Sequence, residues 1–300
     1  MINRLLIRIK VLQVLYSYYL RSNLDASSAL ELLEEQLDVS YKLYLTLCGL
    51  PIALREAALR KLLKETDKFV RSESVIKALE GILHNPVFDK YDEEDSAFKK
   101  TYLEDSFASS DITEYHVSVI DALVGDKTTL ELNWNNAEEV KNWWREKYGI
   151  HYLQNLAFEE RVQDLTPFLN DDIRVVFTFV TKLVNAMDGG KSIDAVIKPK
   201  YNDDEVRLFG QQLLQAAIEK GAEYRVIIAK YLKNWDKERV SEIDNIILQM
   251  AVAEAEQFPI TPSNVIINEY LNLAHYYSTP SSHIYINGIL HELLKELKGV

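Results

Sequence analysis

Apolar positions recur at steps of three and four along most of this chain, a spacing that predicts helices. In the first segment, Leu5 to Arg21, one stripe runs through Leu5, Ile9, Leu12, Tyr16 and Tyr19. A second stripe, Ile7, Val11, Val14 and Tyr18, lies on another face. A helix apolar on two sides is expected to be central to its bundle. Asp25-Ala26-Ser27-Ser28 reads as a cap and turn, followed by helices at about Ala29 to Leu37, Tyr41 to Leu50, Ile52 to Lys68 and Val75 to Leu83. Asn85-Pro86 opens a polar stretch to Asp95 that reads as an exposed loop. Phe98 to Phe107, Ile112 to Leu123, a helix capped by Asn136 and running to Lys147, and Tyr152 to Val162 come next. Asp172 to Met187, capped by Asn170 or Asp171, ends at Asp188-Gly189-Gly190-Lys191-Ser192, and Lys198 to Asp204 reads as a linker. Glu205 to Lys220, Ala222 to Leu232 and Val240 to Glu256 are three further strong helical patterns.

The last forty residues carry two more. In Asn264 to Tyr277 the apolar face is Ile267, Tyr270, Leu271 and Ala274, and Thr261-Pro262 supplies an N-cap and first-turn pair. In His283 to Leu294 the stripe is Ile286, Ile289, Leu290, Leu293 and Leu294. Gly288 sits inside that helix, where glycine costs about 1 kcal/mol relative to alanine. Close approach of another backbone is the expected reason for it.

Composition agrees with helix throughout. Only 10 glycines and 7 prolines punctuate 300 residues, and 47% apolar content can fill one large core or two ordinary ones. Cys48 is the single cysteine, which excludes an intramolecular disulfide and suits a reducing cytosol, so a cytoplasmic protein is expected. No window approaches a membrane span, and Arg4, Arg8 and Lys10 interrupt the apolar N-terminus where a signal peptide would need a continuous run.

A net charge of −12 argues against general nucleic-acid binding, which depends on neutralising phosphates. The first 24 residues nevertheless hold Arg4, Arg8, Lys10 and Arg21 and no acid. Such a local basic surface can capture RNA, with the acidic remainder suppressing unspecific binding. The alternative is a basic helix end lying beside acidic helices. Catalytic patterns are missing. The six histidines are scattered, no cysteine pair can hold zinc, and Gly125 to Thr129 lacks the upstream glycine of a phosphate loop. No enzyme activity, metal or cofactor is expected.

Four stretches resemble the NusB family of bacterial transcription antitermination factors. Ile267-Asn268-Glu269 and Ile286-Asn287-Gly288-Ile289-Leu290 have the family's order and spacing across a short Ser-containing loop. Gln13, Leu15 and Tyr16 match the family's first helix, with Val11 at its small apolar position, although the family's dense arginine run is thinned here to Arg4, Arg8 and Lys10. Glu238 to Glu254 is similar to a third family helix, with Gln249 where an arginine is usual and Ile284 where a basic residue is common in the last helix.

The resemblance implies an all-α, NusB-like helical bundle of two packed small bundles. Residues 1–37 and 201–300 would form it, and 38–200 would be an additional helical insertion. It implies a non-enzymatic RNA-binding protein that pairs with NusE, the ribosomal small-subunit protein that doubles as a transcription factor. The pair would bind boxA RNA of ribosomal RNA leaders within the RNA polymerase elongation complex, with other Nus factors and no membrane. RNA contacts would come from Arg4, Arg8, Lys10, Gln13, Tyr16, Ser282, His283, Tyr285 and Asn287, where single-stranded RNA needs bases for phosphates and aromatics and amides for unstacked bases. Glu242, Asp244 and Asn245 would face NusE, while Asn268, Glu269 and Glu254 would hold helices together. Two other readings remain: a helical protein–protein adaptor without RNA binding, and an RNA-binding accessory domain of an rRNA-processing or modification system.

Overall fold

The structure, a computed structural model, describes residues 1–21, 24–85, 96–105, 107, 110–169, 171–187, 192–232 and 240–298. Among these the protein is all-α, with no strand. In chain order the helices are α1 (Arg4–Leu20), α2 (Ala26–Cys48), α3 (Leu50–Thr66), α4 (Glu73–Leu83), α5 (Ala97–Asp105), α6 (Ser110–Gly125), α7 (Lys127–Leu130) and α8 (Ala137–Tyr148). Then follow α9 (Leu156–Leu165), α10 (Ile173–Met187), α11 (Ile193–Val196), α12 (Asp204–Glu219), α13 (Gly221–Tyr231), α14 (Glu242–Gln257), α15 (Ser263–Tyr277) and α16 (Ser282–Lys298). The expected loop at 86–95, a cap at Asn170 and the helix end at 188–191 lie outside the described residues. No single helix among the described residues is long and apolar enough to cross a membrane.

The chain divides into two compact units, one of Ile2–Asp38 with Tyr201–Val300 and the other of Val39–Lys200 together with Met1. In the first, α1 packs on α12 and α14, and α14 in turn packs against α13, α15 and α16. Both apolar stripes of α1 are used. Leu6, Ile7, Ile9, Val11, Leu12, Val14 and Leu15 are all buried, as a helix central to its bundle requires. Asn3 caps α1 by accepting from the Leu6 amide at 2.9 Å, and Asp203 caps α12 through the Val206 amide at 2.8 Å. Gly210 lets α12 lie close on its neighbours: a Cβ there would meet Ile7 Cγ2 at 2.9 Å and Leu33 Cδ2 at 3.4 Å.

The second unit is built around rings. Trp134 and Trp143 stand edge to face at 5.0 Å, Trp144 follows Tyr148 at 5.4 Å, and Tyr152 meets Phe158 at 5.0 Å. A π-helical turn, Gly149–Leu153, follows α8 and places Tyr152 against Tyr115 and buried His116. Two sequence expectations change. The break near residue 38 does not exist, because α2 is continuous: Val39 and Ser40 are weak helix formers, not breakers, and Ser40 donates to buried Asp172. Thr261 does not cap α15, whose N-cap is Pro262 with no side-chain bond.

Candidate nucleic-acid and partner interface

The site residues expected from the sequence all lie in the first unit, on α1, on the start of α14, and on the first turns of α16. Since α14 packs against both α1 and α16, one helix carries both sets.

On α1 the basic residues divide by depth. Arg4 keeps a third of its side chain in solvent (33%), pairs with Glu205 and stacks 4.9 Å over the Phe209 ring. Arg8, by contrast, is buried. Its Nε and Nη2 donate to the two oxygens of Glu254 at 2.8 and 2.6 Å, and its Nη1 donates to Glu269 at 3.0 Å. Tyr270 donates to Glu254 at 2.8 Å, which completes a charged knot among α1, α14 and α15. Burial works against the Arg8 charge, but the bond to Glu254 and the fields of Glu254, Tyr270 and Glu269 outweigh it, so its pKa is raised. Lys10 is fully buried, with Nζ 3.4 Å from the Gln13 Oε1. Gln13 is half-buried and Tyr16 is exposed. The guanidinium of Arg8 and the ammonium of Lys10 therefore belong to the interior and are not presented to phosphate as placed here. The physical reason is the pair of acids, Glu254 and Glu269, that waits for Arg8 on the neighbouring helices. Asn268, beside Glu269 in the family motif and expected to hold helices together, is exposed instead.

The α14 start is organised by Asp244. A capping box fixes it: the Ser241 amide donates to Asp244 Oδ2 at 3.1 Å, and Ser241 Oγ accepts from the Asp244 amide at 3.3 Å. The carboxylate also accepts from Ser241 Oγ at 2.7 Å, Ser282 Oγ at 3.2 Å, and the hydroxyls of Ser278 and Tyr285. Asp244 is thus wholly buried and not presented at the surface, whereas its flanks, Glu242 and Asn245, are partly exposed. Glu242 keeps 37% of its side chain exposed while accepting from Arg225 at 2.6 Å, and Asn245 is half-buried. The sequence signal for Asp244's inward role was its place three residues after Ser241, a capping-box spacing.

Around the turn, Ser282 and Tyr285 are buried in that same network, and burial with the bond to Asp244 pushes the Tyr285 phenol above its ordinary range. His283 and Asn287 remain reachable, with His283 exposed and Asn287 half-exposed. The His283 ring lies 6.4 Å from His275, a neighbour the sequence reading did not single out. Ile284 is 68% exposed. Gln249, standing where the family has arginine, is buried and donates to Tyr19 at 2.7 Å and to the Ala217 carbonyl at 2.6 Å. Arg225 on α13 donates to Gln249 at 3.0 Å and stacks 4.1 Å over Tyr19. The groups left at least partly exposed are mixed: Tyr16 and Arg4 on α1, His283 and Asn287 on α16, and Glu242 at the start of α14. Among the described residues no group of three or more His, Cys, Asp or Glu side chains is arranged to hold a metal.

Comparison with known proteins finds relatives for the C-terminal part of this unit and the last residues of the other. The NusB family profile matches residues 174–295. The chain is 39% identical over 117 residues to a transcription antitermination protein NusB of Koribacter versatilis, covering 37% of this chain and 80% of that one. A protein of the same name from Salinibacter ruber is 31% identical over 111 residues, covering 37% of this chain and 69% of that one. Another, from Macrococcus caseolyticus, is 35% identical over 100 residues, covering 33% and 73%. No solved structure matches the chain.

Proposed function

The chain belongs to the NusB family, and from that premise we propose that it is a non-enzymatic antitermination factor that pairs with NusE and binds boxA RNA. The observation that carries this reading is the Asp244 network. It ties the α15–α16 turn and the start of α16 to the start of α14, which would let an RNA surface and a NusE surface share one frame. RNA would meet Arg4, Gln13 and Tyr16 on α1 and His283 and Asn287 on α16, where reachable donors and an aromatic ring suit phosphates and unstacked bases. NusE, a basic ribosomal protein, would meet Glu242 and Asn245. Arg8, Lys10, Ser282, Tyr285 and Asp244 would act from beneath by holding those groups in place.

Fluorescence anisotropy with labelled boxA RNA and a scrambled control, with and without NusE and across salt, tests the reading. Preference for boxA that strengthens with NusE is the expected result. Arg4→Ala should weaken binding and flatten the salt dependence by about one unit, the loss of a single phosphate contact. Burial of Arg8 and Lys10 favours a second reading, a protein–protein adaptor that has withdrawn its charges from RNA. Pairing with NusE but no RNA preference in any mixture would establish that one.

A further inference from the structure

The outer face of α3, in the second unit, carries apolar side chains that nothing covers. α3 turns Leu54, Ala57 and Ala58 inward, where it packs on α4 and α6. Leu59 and Leu63, one turn apart, point the other way and are 49% and 59% exposed. The chain leaving the helix adds Val70, 79% exposed, and Phe69, which is exposed entirely. Single exposed apolar residues are ordinary, but four within residues 59–70, rimmed by charge, mark a surface that another molecule covers.

Charge identifies the occupant. The protein carries a net charge of −12, yet residues 55–71 hold six cations against three acids. One of those acids, Glu65, is buried and already held by Lys68. Arg60 meets Glu56 only at 4.0 Å, both of them exposed. Exposed Lys64 and Arg71 make no ion pair among the described residues.

We propose that the outer face of α3, with residues 67–71, docks an amphipathic helix of a protein partner, one whose apolar stripe is edged with Asp and Glu. α3 has 17 residues, a length of about 25 Å along which such a helix can lie with its apolar side on Leu59, Leu63 and Phe69. Its acids would meet Arg60, Lys64 and Arg71. The other occupants fit less well. A second copy of this chain, placed symmetrically, would set like cations against each other. RNA would find aliphatic side chains and a single ring where unstacked bases need aromatics and amides. An anionic membrane would be repelled by the rest of so acidic a chain.

The test uses the full chain and three labelled synthetic helices, read by fluorescence anisotropy. The helices share one leucine stripe and differ in its polar flanks, which are glutamate, glutamine or lysine. Leu63→Ser with Phe69→Ser removes apolar surface, and Lys64→Glu with Arg71→Glu reverses the charge. All four positions are exposed, so melting temperatures should be unchanged. The glutamate helix should bind the parent chain, more weakly as salt rises, and each double variant should lose about tenfold or more in affinity for it. The lysine helix should bind only the charge-reversed variant, a gain that misfolding cannot imitate. No binding of the glutamate helix, equal binding of all three helices, or binding that both variants retain would overturn the proposal. Oligouridylate RNA or phosphatidylglycerol vesicles that bind the parent chain and are lost in the same variants would also overturn it, assigning the face to nucleic acid or to lipid.

Discussion

Arg8 shows how one side chain can look like a ligand-binding residue and be a structural one. Two carboxylates from different helices grip it, Glu254 being wholly buried beside it. Arg8→Met should destabilise the protein by about 3–5 kcal/mol, because a buried Glu254 is left without its partner, and urea denaturation would measure the shift. Restoring neutrality with Arg8→Met and Glu254→Gln together should recover part of the loss. His116 gives the pH counterpart. Burial, with Arg60 nearby, lowers its pKa to about 4, so it is neutral in the fold. The unfolded chain binds a proton there below about pH 6.5, so its contribution is intact above that pH and is lost as pH falls toward 4. The loss is on the order of 3 kcal/mol by pH 4, and His116→Gln should flatten that slope of stability between pH 6.5 and 4. Identity at this scale was only half legible. Glu254 and Glu269 could be assigned to holding helices because they sit in the family's motifs. The depth of Arg8 and Lys10 could not be read, since a basic residue on the flank of an apolar stripe faces in or out according to what the neighbouring helices offer.

Among elements, α12 and α16 make opposite uses of glycine. At Gly210 the space is taken, and Gly210→Ala should cost about 1–3 kcal/mol by forcing Ile7 and α12 apart, seen as a lowered melting temperature. At Gly288 the space is open, so the close approach expected there is missing. Periodicity located both helices but could not distinguish these cases, because a glycine's neighbours come from other elements. The same limit explains α2. Its run from Ala26 to Cys48 contains no Gly or Pro, yet the polar Asp38-Val39-Ser40 reads locally as a break. A tertiary bond from Ser40 to Asp172 uses the polarity that suggested a turn. Caps were legible in part: Asn136 accepts from the Glu138 and Glu139 amides at 3.2 and 3.3 Å, whereas Thr261 does not cap α15.

For the molecule as a whole, the apolar content allowed one core or two, and contacts divide the chain into two units. Much of the aromatic clustering of the second could not be foreseen, since Tyr115 meets Tyr152, and Trp134 meets Trp143, from different elements. The matched span of the family, residues 174–295, leaves α1 outside it, although α1 is packed into the same unit as α14. That arrangement has a consequence for synthesis. The first unit is assembled from both sides of Val39–Lys200, so α1 leaves the ribosome long before α12, α14 and the acids that neutralise Arg8 exist. At roughly 5–20 residues per second the wait lasts about ten seconds or more. During it, a helix apolar on two faces has no partner to cover it. The second unit runs almost wholly as one stretch, Val39–Lys200, and can form in that interval, which leaves less unfolded chain once α12 and α14 emerge to cover α1.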